Sequence, residues 1–198
     1  MPQPGPDTNH IILAITGASG AAYARRILEL ALDAGRHVHL VVSPLGQRLL
    51  HDELALDPPA LAALADARPG SATLHNHRDV GAAIASGSFR HDGMIVAPCS
   101  SNTLSAVATG SAQNLLHRAA HVSLKERRPL ILVHRETPLS LVDIRNMAAA
   151  TEAGAILCPA NPGFYMHPRT VDDLVDFVAA RVLDLMQIEH GLPVRWGQ

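Results

Sequence analysis

Aromatic residues are scarce in this chain, 3% of 198 residues with a single tryptophan, while Ala, Leu and Val dominate its apolar content. That balance suits aliphatic helices packed on a buried sheet. Cysteine is also scarce. Cys99 and Cys158 each stand beside a proline at the end of an apolar run. They read as buried, reduced thiols of a cytoplasmic protein rather than catalytic groups, since neither has a paired base close in sequence. Charge of one sign is lacking too. A net charge of −2 gives no electrostatic case for nucleic acid or an anionic membrane. No apolar run is long enough to span a bilayer. The first nine residues, MPQPGPDTN, lack the basic and apolar regions of a signal peptide. They are expected to form a flexible tail (1–9) before one α/β domain (10–198).

What is present is an alternation of apolar strands with helical patterns. His10–Ile15, His37–Val42, Met94–Ala97, Leu130–Val133 and Ala155–Cys158 read as strands buried on both faces, with Ala72–Leu74 as an edge strand. Helices are expected from about Ala22 to Ala34, Gln47 to Glu53, Ser140 to Ala153 and Thr170 to Gln187, with a short one between the prolines of 55–70. Continuous rather than alternating apolar strands indicate a parallel sheet covered on both sides. In such sheets ligands bind where strands end.

The strand ends carry the chemistry. Thr16-Gly17-Ala18-Ser19-Gly20-Ala21 follows the first strand. It is either a phosphate cradle at a helix start or a tight turn with Ser19 as a cap. It is not a full G-x-G-x-x-G fingerprint. Ser43 ends the second strand. Cys99-Ser100-Ser101-Asn102-Thr103 is a small-polar turn broken from its strand at Pro98, and a helical pattern with Arg118, Lys125, Arg127 and Arg128 follows. Arg118 and Lys125 are seven apart, so they share a helix face. Beside a hydroxyl-rich turn, such a pair suits an anionic group. Glu53 alone reads as a solvated carboxylate. Asp172-Asp173-Leu174-Val175-Asp176 matches a magnesium-binding D-D-x-x-D pattern, but it stands in the first turns of a helix after Thr170, where acidic residues serve the helix dipole. Among twelve histidines, His37/His39 and His75/His77 have strand spacing. No H-E-x-x-H motif or Cys/His cluster accompanies them, so no metal site is expected.

Taken together, Thr16–Ala21, Ala97-Pro98-Cys99-Ser100, the run Arg118 to Leu130, Arg135-Glu136-Thr137-Pro138-Leu139 and Pro162-Gly163-Phe164-Tyr165 resemble the UbiX family of flavin prenyltransferases. The resemblance covers roughly residues 10–190. It implies a flavodoxin-like Rossmann three-layer fold with a parallel sheet. It also implies a homododecamer with sites at subunit interfaces, and transfer of a dimethylallyl group from dimethylallyl monophosphate to N5 and C6 of reduced FMN without a metal. The prenylated FMN would serve a UbiD-type decarboxylase. Carried over by residue, the resemblance puts flavin on Gly17, Ala18, Ser19, Ser43, Ser100, Ser101, Asn102, Thr103 and Arg135. It puts the prenyl phosphate on Arg118, Lys125, Tyr165 and Arg181, with Trp196 near the site. Ser19, Glu53, Lys125 and Glu136 become the catalytic set, Glu53 and Glu136 as acid–base carboxylates. Two departures from the family, Ser101-Asn102 in the turn and Asp143 where histidine is frequent, are expected to stand clear of the chemistry.

Two rival readings remain. Flavin-dependent cysteine-type decarboxylases carry a P-A-S-A-N-T turn similar to Pro98–Thr103, but they also have a histidine after the first turn. This chain has Tyr23 and Arg25 near that position and no Met-Asn lid. A non-catalytic FMN carrier would not need Arg118, Lys125, Glu136 and Arg181 together.

Overall fold

The structure is a computed structural model, and it describes residues 8–193. Six strands form one parallel sheet in the order β3-β2-β1-β4-β5-β6: β1 (His10–Ile15), β2 (His37–Val42), β3 (Ser71–His75), β4 (Gly93–Cys99), β5 (Leu130–His134) and β6 (Ile156–Leu157). Side chains alternate across the sheet. Ile11, Leu13 and Ile15 enter the core beneath α1 (Ala21–Asp33) and α7 (Val171–Leu185). Ile12 and Ala14 enter the core beneath α4 (Ser101–Thr109) and α5 (Leu115–Lys125). Strands buried on both sides need apolar residues at every position, hence the uninterrupted runs. Each fully buried Ile or Leu contributes about 1.5–3 kcal/mol.

The layering decides where a ligand can go. α1 follows β1 onto one face, whereas α4 follows β4 onto the other. β1 and β4 are neighbours, so their outgoing chains part and leave a crevice beyond the strand ends.

Several expected boundaries move. β4 runs on through Pro98, whose peptide bond is cis, to Cys99, with a register shift after Val96. The polar turn is therefore shorter than expected: Ser100 is the N-cap of α4, and Ser101, Asn102 and Thr103 form its first turn. The helical stretch after it is two helices, parted at Gly110 in a left-handed conformation. Arg127 and Arg128 lie beyond α5. α2 (Pro44–Leu54) begins earlier than expected, because Ser43 accepts the Gly46 N–H at 3.0 Å as N-cap and Pro44 suits the first helical position. α3 is the short helix Pro58–Ala62, and α6 spans Leu141–Glu152.

The acidic run resolves as a helix start. Thr170 and Asp173 form a capping box, and Asp176 pairs with Arg26 of α1. Thr8 and Asn9, expected in the tail, are tied down. The Thr8 N–H and hydroxyl both donate to Asp92 at 2.8 Å, and the Asn9 amide donates to the Gly35 carbonyl at 2.8 Å. Residues 1–7 and Trp196 lie outside the described residues. The crossover from β3 to β4 carries only a single helical turn, Ala83–Ala85. It is pinned by Arg118 Nε to the Ala85 carbonyl (3.2 Å) and by Arg128 to the carbonyls of Gly87 and Phe89 (2.9 and 2.7 Å).

Candidate active site

The turns after β1, β4 and β5 meet over the crevice, and one buried hydroxyl joins the first two. Thr16, 2% exposed, donates its hydroxyl to the Pro98 carbonyl (2.7 Å) and accepts the Ser100 N–H (2.8 Å). From the other side, Arg135 donates Nε–H to the Ser19 carbonyl at 3.2 Å. The expected flavin residues Gly17, Ala18, Ser19, Ser100, Ser101, Asn102, Thr103 and Arg135 are thus brought to one edge of the sheet, with Ser43 at the end of neighbouring β2. Close packing explains Gly17: a Cβ there would lie 2.4 Å from Leu45 Cβ. Gly20 holds φ at 128°, which a side chain would strain.

The anion at the start of α1 is Glu53. Its carboxylate, from the last turn of α2, accepts the N–H of Gly20 (3.1 Å) and of Ala21 (2.8 Å). Glu53 is exposed, as the sequence suggested, but it is also bound to this helix start, where Ser19 was expected as the cap. N-cap Gly20 has no side chain to offer, so a carboxylate 33 residues away satisfies the orphan donors and meets the positive end of the helix dipole. At the other helix start on this edge, that of α4, the Ser100 hydroxyl accepts the Thr103 N–H. Glu136 follows β5 on the same edge, with one oxygen accepting the Thr137 N–H at 3.0 Å. Glu53 and Glu136 therefore stand beside the turns expected to hold flavin.

Three contacts at this edge escaped the sequence reading: those of Thr16, His134 and Asp143. Ser101 Oγ lies 3.3 Å from His134 Nε2, and Asp143 also takes a hydrogen bond from Ser101. The two departures from the family pattern therefore meet each other at the crevice. Hydrogen bonds from Ser140 and Ser101 hold the Asp143 carboxyl down at about 2. Its folded value is below its unfolded one, so the stability it confers is full above about pH 4 and is lost as pH falls toward 2. Asp143→Ala is expected to lower the urea midpoint at pH 7. The gap from the parent should narrow by about pH 3, read by circular dichroism.

The proposed phosphate cations are not brought together. Arg118 and Lys125 do not stand beside the hydroxyl-rich turn as expected. α5 runs back along the sheet, and its last residue, Lys125, pairs with Glu126 five residues before β5 begins, at the strand-start edge. Both cations face the β3–β4 crossover. Tyr165 packs edge-on against Phe177 of α7 at 5.7 Å, and Arg181 stands one turn further along α7, near Cys158. Helices α5 and α7 cover opposite faces of the sheet. Within one chain the phosphate set is therefore split in two. The thiols stay out of the chemistry: burial pushes Cys99 up to about 12 and raises Cys158.

The Flavoprotein family profile matches residues 5–183. The flavin prenyltransferase UbiX of Thauera aromatica is 47% identical over 186 residues, covering 94% of this chain and 93% of its own. That of Pseudomonas aeruginosa is 43% identical over 202 residues, covering 98% and 96%. A UbiX protein solved in complex with FMN and dimethylallyl pyrophosphate superposes with a TM-score of 0.90 at 41% identity, over 96% of this chain and 97% of that one. A dodecameric FMN-dependent UbiX-like decarboxylase from Escherichia coli O157:H7 gives 0.88 at 43% identity, over 96% and 100%. A cysteine decarboxylase of thioviridamide biosynthesis shares the fold at 16% identity and TM-score 0.62. With a Rossmann sheet, a flavin-type crevice at its switch point and relatives matched along almost their whole length, this chain belongs to the UbiX family of flavin prenyltransferases.

Proposed function

We propose that this protein joins a dimethylallyl group, taken from dimethylallyl monophosphate, to reduced FMN. One observation carries the reading. In a chain of this family, Gly17–Ser19, Ser100–Thr103 and Arg135 converge on the β1/β4 crevice with Glu53 and Glu136 at its rim. Reduced FMN supplies N5 and C6, the positions that receive the two new carbon bonds. The chain's own work is electrostatic and protonic. Breaking the allylic carbon–oxygen bond leaves an electron pair on the phosphate, and Arg118, Lys125 and Arg181 neutralise that charge. Glu136 is the acid–base partner of the leaving phosphate. The Tyr165 ring, with its negative face, shelters the allyl cation. Glu53 takes the proton displaced from C6, with Ser19 as its relay near the flavin.

Because α5 and α7 face opposite ways, the phosphate site closes only when a second copy supplies one half. An exposed apolar strip on α6 and the turn before it, Leu139, Leu141, Val142 and Ile144, supports association between copies. We take the assembly to be a dodecamer, as in the Escherichia coli neighbour. Among the described residues no helix is long and apolar enough to cross a membrane. A cytoplasmic enzyme passing prenylated FMN to a UbiD-type decarboxylase completes the reading.

The test is an anaerobic assay with reduced FMN, no added metal, and either the mono- or the diphosphate donor, read by mass spectrometry of the flavin. A flavin heavier by one prenyl unit with the monophosphate is expected. Turnover with the diphosphate alone overturns the donor. Bound but unchanged flavin with both donors leaves an FMN carrier.

A further inference from the structure

The ribbon of four histidines on the α5 side of the sheet, His10, His37, His39 and His75, has no part in the chemistry above. His10 begins β1 and is the in-register neighbour of His37 on β2. His39 stands two residues further along β2, so all three rings leave the same face. Their centroids lie 4.6–5.2 Å apart. Each ring can offer one nitrogen such that the three atoms lie within 4.8 Å of one another. The sequence reading dismissed these residues because no single motif contains them; the β1–β2 register assembles them from separate strands.

We propose that His10, His37 and His39 bind one divalent transition-metal ion of the zinc class, in a structural site apart from the flavin crevice.

Two features argue for a ligand set rather than a packed aromatic cluster. The first is spacing. His10 Nδ1 and His39 Nε2 are 3.0 Å apart, and nitrogens sharing a tetrahedral zinc at about 2.0–2.1 Å stand about 3.4 Å apart. Drawing His37 in from the edge completes three ligands. The second is the outer shell. His39 Nδ1 lies 2.9 Å from His75 Nε2, so its N–H can donate there while Nε2 turns to the metal. His37 has Ser71 Oγ at 2.6 Å on one nitrogen and Thr73 Oγ1 at 3.0 Å on the other. It can ligate with either nitrogen and donate from the remaining one. Such outer partners fix the tautomer and orientation of ligating imidazoles.

Metal binding replaces the hydrogen bond between His10 and His39, and the shared proton moves to a far ring nitrogen. Phe89 closes one side, edge-on to His10 and His39 at 5.8 and 5.0 Å. His10 and His37 are half-buried, so water can take the fourth position. The flavin turn lies beyond the other end of β1, about 20 Å away along the strand. An ion there ties β1 to β2 and, through Phe89, to the crossover that Arg118 grips.

The experiment uses the assembled full-length protein, stripped with chelator and titrated with zinc, cobalt(II) and copper(II) chlorides. One tight zinc site per chain, tetrahedral cobalt bands and a copper resonance split by three imidazole nitrogens are expected. A His10→Gln/His37→Gln double variant is expected to lose the site and retain prenyl transfer. His77→Gln is expected to keep both. Absence of a tight site in the parent overturns the proposal, as does unchanged stoichiometry and cobalt spectrum in the folded double variant. Should that variant fail to fold, the parent's copper spectrum decides: fewer than three imidazole nitrogens overturns the proposal.

Discussion

Glu53→Gln is expected to cut formation of the ring-closed product by about 100-fold or more, the usual worth of a positioned general base. The variant should fold normally. Glutamine keeps a side-chain oxygen that can accept the Ala21 N–H, now held at 2.8 Å, so the start of α1 stays capped. It cannot take a proton. Flavin should therefore accumulate with one of the two carbon bonds made, distinguished from the four-ring product by its absorption spectrum at the same mass. Binding of FMN should change little, because Gly17, Ser100 and Arg135 are untouched. Ring-closed product at the parental rate would remove Glu53 from the mechanism and leave it only a helix cap.

The second large effect concerns the divided phosphate site. Lys125→Met and Arg181→Met are each expected to lower turnover by about 100-fold or more, because each removes a cation from the leaving group. If the site is completed by a neighbouring copy, the two defects fall on different contributors. Co-assembled in equal amounts from a common unfolded pool, the inactive variants should regain activity at about a quarter of the sites, those where each subunit offers its intact half. If both residues served one site within one chain, mixing would restore nothing. No recovery, with mixed oligomers verified by native mass spectrometry, would sink the shared-site reading. Tyr165→Phe in either partner is a useful control, since it keeps the ring for the cation.

Much of the architecture was legible because it is local. Apolar runs of four to six residues separated by helical patterns mark a parallel sheet. Ser140 and Thr170 announce their helices through capping boxes with Asp143 and Asp173. The same local logic disposed of the acidic run, whose first two aspartates lie in the opening turn of α7. Boundaries slipped where local rules conflict. Pro98 looked like a strand breaker, yet β4 passes through it to Cys99.

The residue types of the flavin turns and their order along the chain were determined by the sequence itself, since each turn directly follows its own strand. Only the tertiary structure decided which charges meet. Glu53 reaches α1 across 33 residues, Thr16 joins turns 82 and 84 residues apart, and Ser101 finds His134 33 residues on. No local propensity encodes such contacts, because they depend on strand order and register. The same reasoning separates Arg118 and Lys125 from Tyr165 and Arg181, which looked like one set in sequence. A parallel crossover must place its helix on one face or the other. α5 and α7 took opposite faces, and seven-residue spacing within a helix carries no information about that choice.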